Sequence, residues 1–437
     1  MHFPVQPGKR CVRSEGRIDH PDPKLLHRYT HNLSGFSGSM SRRDCLFKKT
    51  NEHRLTSLYP GVRTSLIRES FILWLSPGFQ LETGYEAQGI AMYTTPYRNS
   101  SSTTRTIDGA RHIEIGNTPV VSIRVRLKHS WRTIHLKLES HNPAGSSKDR
   151  TAASLIGGLE KKGLLIGSDT TIIESSSGNL GVSLAMICRR KNLRFVAVVD
   201  PKTTVENLKR MRDFGAEFEK VDWPDESGGY LLSRIHRVKE LCAQRSNFVW
   251  PNQYQNPDNP SAHYSTTGPE ILSQMNGCLE AVFVAASTGG TLAGISRFLR
   301  EASPSTEVIG VDAVGSAALG GVAGHRKLIG IGSAIPSSFI GPKDCDVKVL
   351  VSDRDAFSVC RWLKNRLGLN LGGSAGAVVF ACIKHLASKL SIGGVLCLCP
   401  DGGENYKSTI YSDEWLVSSG FDLSYEPFDE WPDIEAV

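Results

Sequence analysis

The sequence predicts an α/β protein whose sheets are mostly parallel, twisted and covered on both faces by helices. Three observations carry this. From Arg111 onward, short apolar runs rich in β-branched residues alternate with segments of helical spacing. Such runs between amphipathic helices mark strands buried on both sides. More chain follows Ala110 than one such sheet needs, so two α/β domains are expected, 111–258 and 259–437, after an N-terminal extension of 1–110.

The elements follow in order. Ile113–Ile115 and Ile134–Leu138 read as strands, Thr151–Lys162 as a helix and Thr170–Glu174 as a short strand. Asn179–Lys191 reads as helix, Phe195–Val199 as buried strand and Thr204–Phe214 as helix. Helices follow at Tyr230–Gln244 and Ser265–Met275, then strand Ala281–Ala285, helix Thr291–Arg300 and strand Val308–Val311. Helices Asp355–Arg366 and Ala375–Leu386 and strand Val395–Cys399 complete the pattern. In such folds ligands bind at the carboxyl ends of strands, often between domains.

Composition removes other classes. No apolar run approaches the roughly 18 residues of a membrane span. The net charge of +7 is uneven: residues 1–110 hold 15 Lys and Arg against 9 Asp and Glu, and the remainder is nearly neutral. That leaves no basic stripe for nucleic acid. None of the ten cysteines forms a C-x-x-C pair, and several lie in apolar runs such as Val395–Cys399. Neither a zinc site nor a disulfide framework is expected; reduced thiols in the cytoplasm are. Residues 1–110 scatter Arg, Ser, His and Pro without periodicity, and Ser100–Thr104 resembles a linker. Glu15, Asp19 and Asp22 argue against a transit peptide, so a poorly ordered basic extension is expected.

Three glycine-bearing turns join strands to helices or precede a helix: Glu174–Gly181, Ala286–Thr291 and Gly372–Ala377. Backbone N–H groups at a helix start make an anion site, and glycine allows close approach. Ser287, Thr288, Gly289, Gly290 and Thr291 add hydroxyl donors and two glycines to one such cradle. Ordinary helix capping produces the same residues, so each turn alone leaves both readings open. The second turn lacks the G-K-[ST] lysine of a nucleotide loop, and none of the three is G-x-G-x-x-G. A single phosphate monoester suits it better than a triphosphate.

His141–Arg150 leads into a helix with Lys148 among small residues. The positive end of a helix disfavours the ammonium and favours the neutral amine that imine chemistry needs. An isolated lysine here would read as a solvated surface charge. Together with a single-phosphate cradle and an asparagine-bearing loop, it supplies the parts that hold pyridoxal 5′-phosphate.

These residues resemble the fold-type II pyridoxal-phosphate enzymes, the tryptophan synthase β-like fold, within the cysteine synthase and cystathionine β-synthase group. The likeness runs in order over 113–415: Ile115-Gly116-Asn117-Thr118-Pro119, Asn142–Arg150 around the lysine, Ser176-Ser177-Gly178-Asn179, Gln253–Pro257 and Thr266–Glu270, followed by the 287–291 and 372–377 turns. The resemblance implies that Lys148 forms the imine with the cofactor and later moves the Cα proton. It implies that Asn179 hydrogen-bonds the cofactor's 3′-oxygen, that Ser287–Thr291 bind its phosphate, and that Ser374 meets the pyridine nitrogen. A neutral hydroxyl there leaves that nitrogen largely unprotonated, which suits β-elimination better than transamination. Ser176, Ser177 and Gln253 would hold the amino-acid carboxylate. The family further implies a homodimer acting on small amino-acid substrates, and a mobile subdomain within 111–258.

Departures narrow the branch. Leu180 stands where many cysteine synthases have threonine, and Ser287 where they commonly have glycine. The pair resembles the siderophore-pathway N-(2-amino-2-carboxyethyl)-L-glutamate synthase branch, which joins O-phospho-L-serine to L-glutamate on the way to 2,3-diaminopropionate. Cystathionine β-synthase itself fits less well: neither Cys11 nor Cys45 precedes proline, and about 30 residues follow Tyr406 where that enzyme carries a regulatory pair. The expected activity is therefore a β-replacement transferase of amino-acid biosynthesis and secondary metabolism. A doubly charged phosphate leaving group asks for a cation. In the helix Tyr230–Gln244, Arg234 is the candidate, helped by Tyr254 beside Gln253. A solvated basic helix face would look the same. A sulfhydrylase making L-cysteine, a β-elimination dehydratase and a non-catalytic amino-acid-binding regulator are the alternatives.

Overall fold

The computed structural model describes residues 106–107, 110–111, 114–165, 169–226, 228–389 and 393–437. The extension expected over 1–110 falls almost wholly outside the described residues. Its last part contributes two-residue strands, Thr106–Ile107 (β1) and Ala110–Arg111 (β2), paired antiparallel. A hairpin follows, Val120–Leu127 (β3) and Ser130–Leu138 (β4). Its two-residue turn needs positive φ, and Lys128 supplies it at 57°.

Lys148–Lys161 (α1) leads to Thr171–Ser175 (β5), Asn179–Arg190 (α2), Arg194–Val199 (β6) and Val205–Asp213 (α3). Glu217–Lys220 (β7), Leu231–Gln244 (α4) and Phe248–Val249 (β8) continue the alternation. Asp258–Ala262 (α5) and Gly268–Gln274 (α6) precede Ala281–Ala285 (β9), Gly290–Ala302 (α7) and Glu307–Ala313 (β10). The chain then runs through Val347–Val351 (β11), Asp353–Leu367 (α8), Gly373–Ser388 (α9), Val395–Cys399 (β12), Asp413–Ser418 (α10) and Ile434–Ala436 (β13).

These strands make a seven-stranded sheet of order β11-β10-β9-β12-β4-β3-β13 and a four-stranded sheet of order β7-β6-β5-β8. The smaller sheet is parallel throughout, and the larger is parallel from β11 to β4. The α/β class is as the sequence predicts. Helices α8 and α9 pack on one face of the large sheet around Phe283, Phe357 and Cys397, and α6 and α7 on the other around Val282, Leu292 and Leu396. The faces of the small sheet are covered by α1 and α2, and by α4.

Two expectations are corrected. A cut at residue 258 does not separate the sheets, because β3 and β4 join the large sheet beside β12. Both sheets lie in one compact unit, Arg98–Val437. The helix expected over Ser265–Met275 is present as α6 from Gly268 to Gln274, but its expected first turn belongs instead to a π-helical turn, His263–Thr267, between α5 and α6. The cause is local: Thr266 and Ser265 hydroxyls donate to the carbonyls of Ala262 and Ser261, four residues back, and compete with the helical ladder. Glu114 and Ile115 lie outside any strand.

Candidate active site

A cavity of about 810 Å³ gathers residues from both sheets. Its floor is the start of α1. Ser147 N–H donates to Pro400 O at 2.8 Å and Ser146 bridges Asp401, which fixes Lys148 against the end of β12. Lys148 is half-buried on the cavity wall. Burial lowers its pKa, opposed by the charges of Asp401 and Glu139, so the neutral amine is favoured relative to a surface lysine.

A buried ion network locks the residues behind Lys148. Arg150 donates to Glu139 through Nε at 2.7 Å and to Glu270 through Nη1 at 2.6 Å. Lys137, fully buried on β4, meets Glu270 at 2.9 Å and donates to Gln274 Oε1 at 2.8 Å. Partial burial pushes the Glu270 carboxyl up, but the hydrogen bonds and charges of Arg150 and Lys137 outweigh it and hold the group at about 2.

Asn179, the first residue of α2, donates through Nδ2 to Asp401 Oδ2 at 2.7 Å. Its Oδ1 accepts from Asn405 Nδ2 at 3.0 Å, and Tyr406 Oη donates to the same Asp401 oxygen at 2.6 Å. Burial raises the Asp401 pKa against these bonds and the charge of Lys148. Ser374, at the start of α9, is buried on the cavity wall; its Oγ makes no well-formed hydrogen bond but lies close enough to Asp401 to favour that carboxylate's charged form.

The 287–291 turn runs from the end of β9 into α7. Gly289 holds φ at 89°, and a Cβ there would stand 2.0 Å from Ser337 Oγ. A Cβ at Gly290 would stand 2.1 Å from Asn259 Oδ1. Positive φ makes Gly289 a glycine position, and a side chain at Gly290 would have to displace the Asn259 amide. Asn259 Nδ2 donates to Thr288 Oγ1 at 3.1 Å, and Ser287 Oγ donates to Gly332 O at 3.2 Å. Thr291 and Thr151 hydroxyls lie 3.2 and 3.1 Å from His263 Nε2. Burial, with the charges of Lys148 and Arg150, keeps that imidazole neutral. Ser287, Thr288, Gly289 and Thr291 with Lys148 line a recess adjoining the main cavity.

The smaller sheet supplies the opposite wall. Ser176 Oγ accepts from Gly181 N–H at 2.8 Å, and Ser177 lines the cavity beside it. Gln253 donates through Nε2 to Ser175 O at 2.9 Å; Tyr254 Oη reaches the same oxygen at 3.4 Å. Glu174 ties this loop down, accepting from Trp250 Nε1 at 2.9 Å and Gln253 N–H at 3.0 Å. Arg234 is buried rather than solvated, 3.3 Å from Asp200, and its Nε and Nη1 make no hydrogen bond. Leu180 lies on the wall and in the core of the small sheet.

The structure thus brings every sequence-predicted site residue to one cavity or to its adjoining recess, save Gly290, the first residue of α7, which packs on Asn259 instead. Sequence reasoning missed Asp401, Asn259, His263, Glu174 and Ser337. Only the run Pro400-Asp401-Gly402-Gly403, an acid between one rigid and two permissive residues after a strand, signalled one of them. Among the described residues, no His, Cys, Asp and Glu cluster could hold a metal, and no helix is long and apolar enough to cross a membrane.

Comparison with known proteins places this geometry. The model of the family described as pyridoxal-phosphate dependent enzyme matches residues 112–401. An N-(2-amino-2-carboxyethyl)-L-glutamate synthase from Ralstonia nicotianae is 44% identical over 306 residues, 69% of this chain and 89% of that protein. Its namesake from Cupriavidus metallidurans is 43% identical over 310 residues, with the same coverage of each chain. The crystal structure of an O-acetylserine-dependent cystathionine β-synthase from Helicobacter pylori superposes with a TM-score of 0.60 at 36% identity, over 68% of this chain and 97% of that one.

Proposed function

The chain belongs to the pyridoxal-phosphate-dependent enzyme family, and on that premise we propose that it joins O-phospho-L-serine to the amine of L-glutamate with release of phosphate. Membership carries the cofactor and a cysteine synthase-like β-replacement acting on amino-acid substrates. The particular substrates and the residue roles are our reading.

The residues present fit the cofactor. Ser374 Oγ is a buried hydroxyl on the cavity wall that makes no well-formed hydrogen bond and only approaches the Asp401 carboxylate, as a group placed for the ring nitrogen would. The 287–291 turn leads into the start of α7 through Gly289 at positive φ and Gly290 packed on Asn259, a cradle for one phosphate. Lys148 is the amine, and Asn179 is held beside it by Asp401. When bound, the cofactor supplies an electron sink for the amino-acid Cα. Lys148 then moves the Cα proton through its neutral amine. Ser176, Ser177 and Gln253 orient the substrate carboxylate. The Cβ–O bond of phosphoserine breaks, a bond from nitrogen to Cβ forms, and the amine gives up one proton. We also read the small sheet with α2–α4 as the body that closes over the site to exclude water, and the protein as a cytoplasmic homodimer.

The observation that carries the substrates is the charge of the walls. Lys202, Arg234, His325, Arg326 and Lys327 line the cavity besides Lys148, and Asp200 is the sole carboxylate among the described lining residues. A low-dielectric cleft with this balance favours anions. Phosphoserine and glutamate are both more anionic than acetylserine and most amines. Buried Arg234, with donors to spare, suits the leaving phosphate, and Tyr254 lies near it. The likeness to an acetylserine-dependent enzyme supports a second reading, acetylserine with a sulfur nucleophile. The test is kcat/KM for the two donors with wild type and Arg234→Ala. Phosphoserine should be preferred, and the preference should fall about tenfold or more in the variant, a loss near 1.4 kcal/mol. Equal use of both donors by the wild type contradicts the reading.

A further inference from the structure

We propose that Arg326 is the specificity residue for the nucleophile, receiving the side-chain carboxylate of an acidic amino acid on the wall built by the large sheet. This rests on the functional reading above and deepens it.

Arg326 lies between β10 and β11, half-buried and on the cavity wall. Its Nη1 donates to Gly315 O at 3.0 Å. Its Nε lies so close to Gly332 that a Cβ there would be 2.8 Å away. Gly332 O in turn accepts from Ser287 Oγ, so Arg326 is placed directly beside the turn that flanks the reacting end of the cavity. Among the described residues no carboxylate comes within ion-pair distance of it, while Arg234 already faces Asp200.

The neighbouring acids are committed elsewhere. Asp312 accepts from the N–H groups of Ala313 and Leu319, and Asp353 from those of Lys327 and Leu328. The other cations of this wall are less suited. Lys327 Nζ donates to Ser419 O at 3.2 Å and sits over the rings of Trp415 and Phe421. His325 is exposed. A partly desolvated guanidinium without a direct counter-ion gains most from an arriving anion, and its planar fork matches a carboxylate. Glutamate carries that extra carboxylate; sulfide does not, and its addition makes no use of Arg326.

The test uses full-length enzyme loaded with pyridoxal phosphate, as wild type, Arg326→Gln and Arg326→Lys. Three quantities are read with phosphoserine as donor: KM for L-glutamate, phosphate release without nucleophile, and cysteine formation from sulfide. Arg326→Gln should raise the glutamate KM about tenfold or more, the worth of one charge-assisted contact. Phosphate release and the sulfide reaction should fall far less, and Arg326→Lys should recover part of the loss. An unchanged glutamate KM, or equal losses with glutamate and sulfide, overturns the assignment of Arg326 alone. A wild type that forms no glutamate adduct overturns the underlying reading, and this inference with it.

Discussion

Asn179 donates its side-chain amide to Asp401 across 2.7 Å, joining the first residue of the helix after β5 to the second residue after β12. This hydrogen bond thus ties the small sheet to the large one behind the cavity wall. Asp401 is buried and also takes the Tyr406 hydroxyl, so its carboxylate fixes which way Asn179 points. Asp401→Ala should leave Asn179 held only through Asn405 and weaken cofactor retention about tenfold, the worth of a hydrogen bond to a charged group. Spectrophotometric titration of the cofactor-free variant with pyridoxal phosphate measures this.

Lys148 is the imine-forming residue in this account. Lys148→Ala should remove the visible absorbance of the loaded protein. Borohydride reduction of the wild type should place the cofactor's mass on the peptide containing Lys148. Reduction that labels another lysine contradicts the assignment.

Ser374 gives a prediction of opposite signs. Its buried Oγ makes no well-formed hydrogen bond and only approaches Asp401, and an unsatisfied buried hydroxyl costs up to about 1–3 kcal/mol. Ser374→Ala should therefore leave the cofactor-free protein as stable as wild type, or more so. The same variant should hold pyridoxal phosphate more loosely. Thermal melts with and without cofactor separate the two effects.

The network behind Lys148 sets an acid limit. Glu270 is held at about 2 against an ordinary 4.5, so its contribution to stability is present above pH 4.5 and is lost as pH falls toward 2. Glu270→Gln leaves Arg150 and Lys137 short of a counter-charge and should cost about 3–5 kcal/mol at neutral pH. Its stability should also change less than that of wild type between pH 4.5 and 2. Denaturant melts across that range check both the loss and its slope.

Much of this was legible in the sequence because the signals are local. Runs such as Val395–Cys399 mark buried strands by themselves, and Lys148, Asn179 and the 287–291 turn stand out in a few adjacent residues, which the fold gathers around one cavity and its recess. What the sequence hid depends on distant partners. β3 has alternating residues and pairs with β4 across a tight turn, yet only the sheet shows that both belong beside β12. Asp401 lies 222 positions from Asn179, and nothing local to either announces the bond. The π-helical turn was hidden because its hydroxyls sit at helix-compatible spacing and act through i−4 carbonyls.

The central claim is the pair of substrates. The direct measurement offers the loaded enzyme phosphoserine and acetylserine together, with L-glutamate and sulfide both present, and identifies products by mass. The account predicts N-(2-amino-2-carboxyethyl)-L-glutamate as the main product, with phosphate released in equal amount. Cysteine drawn from acetylserine, with no glutamate adduct, would contradict it.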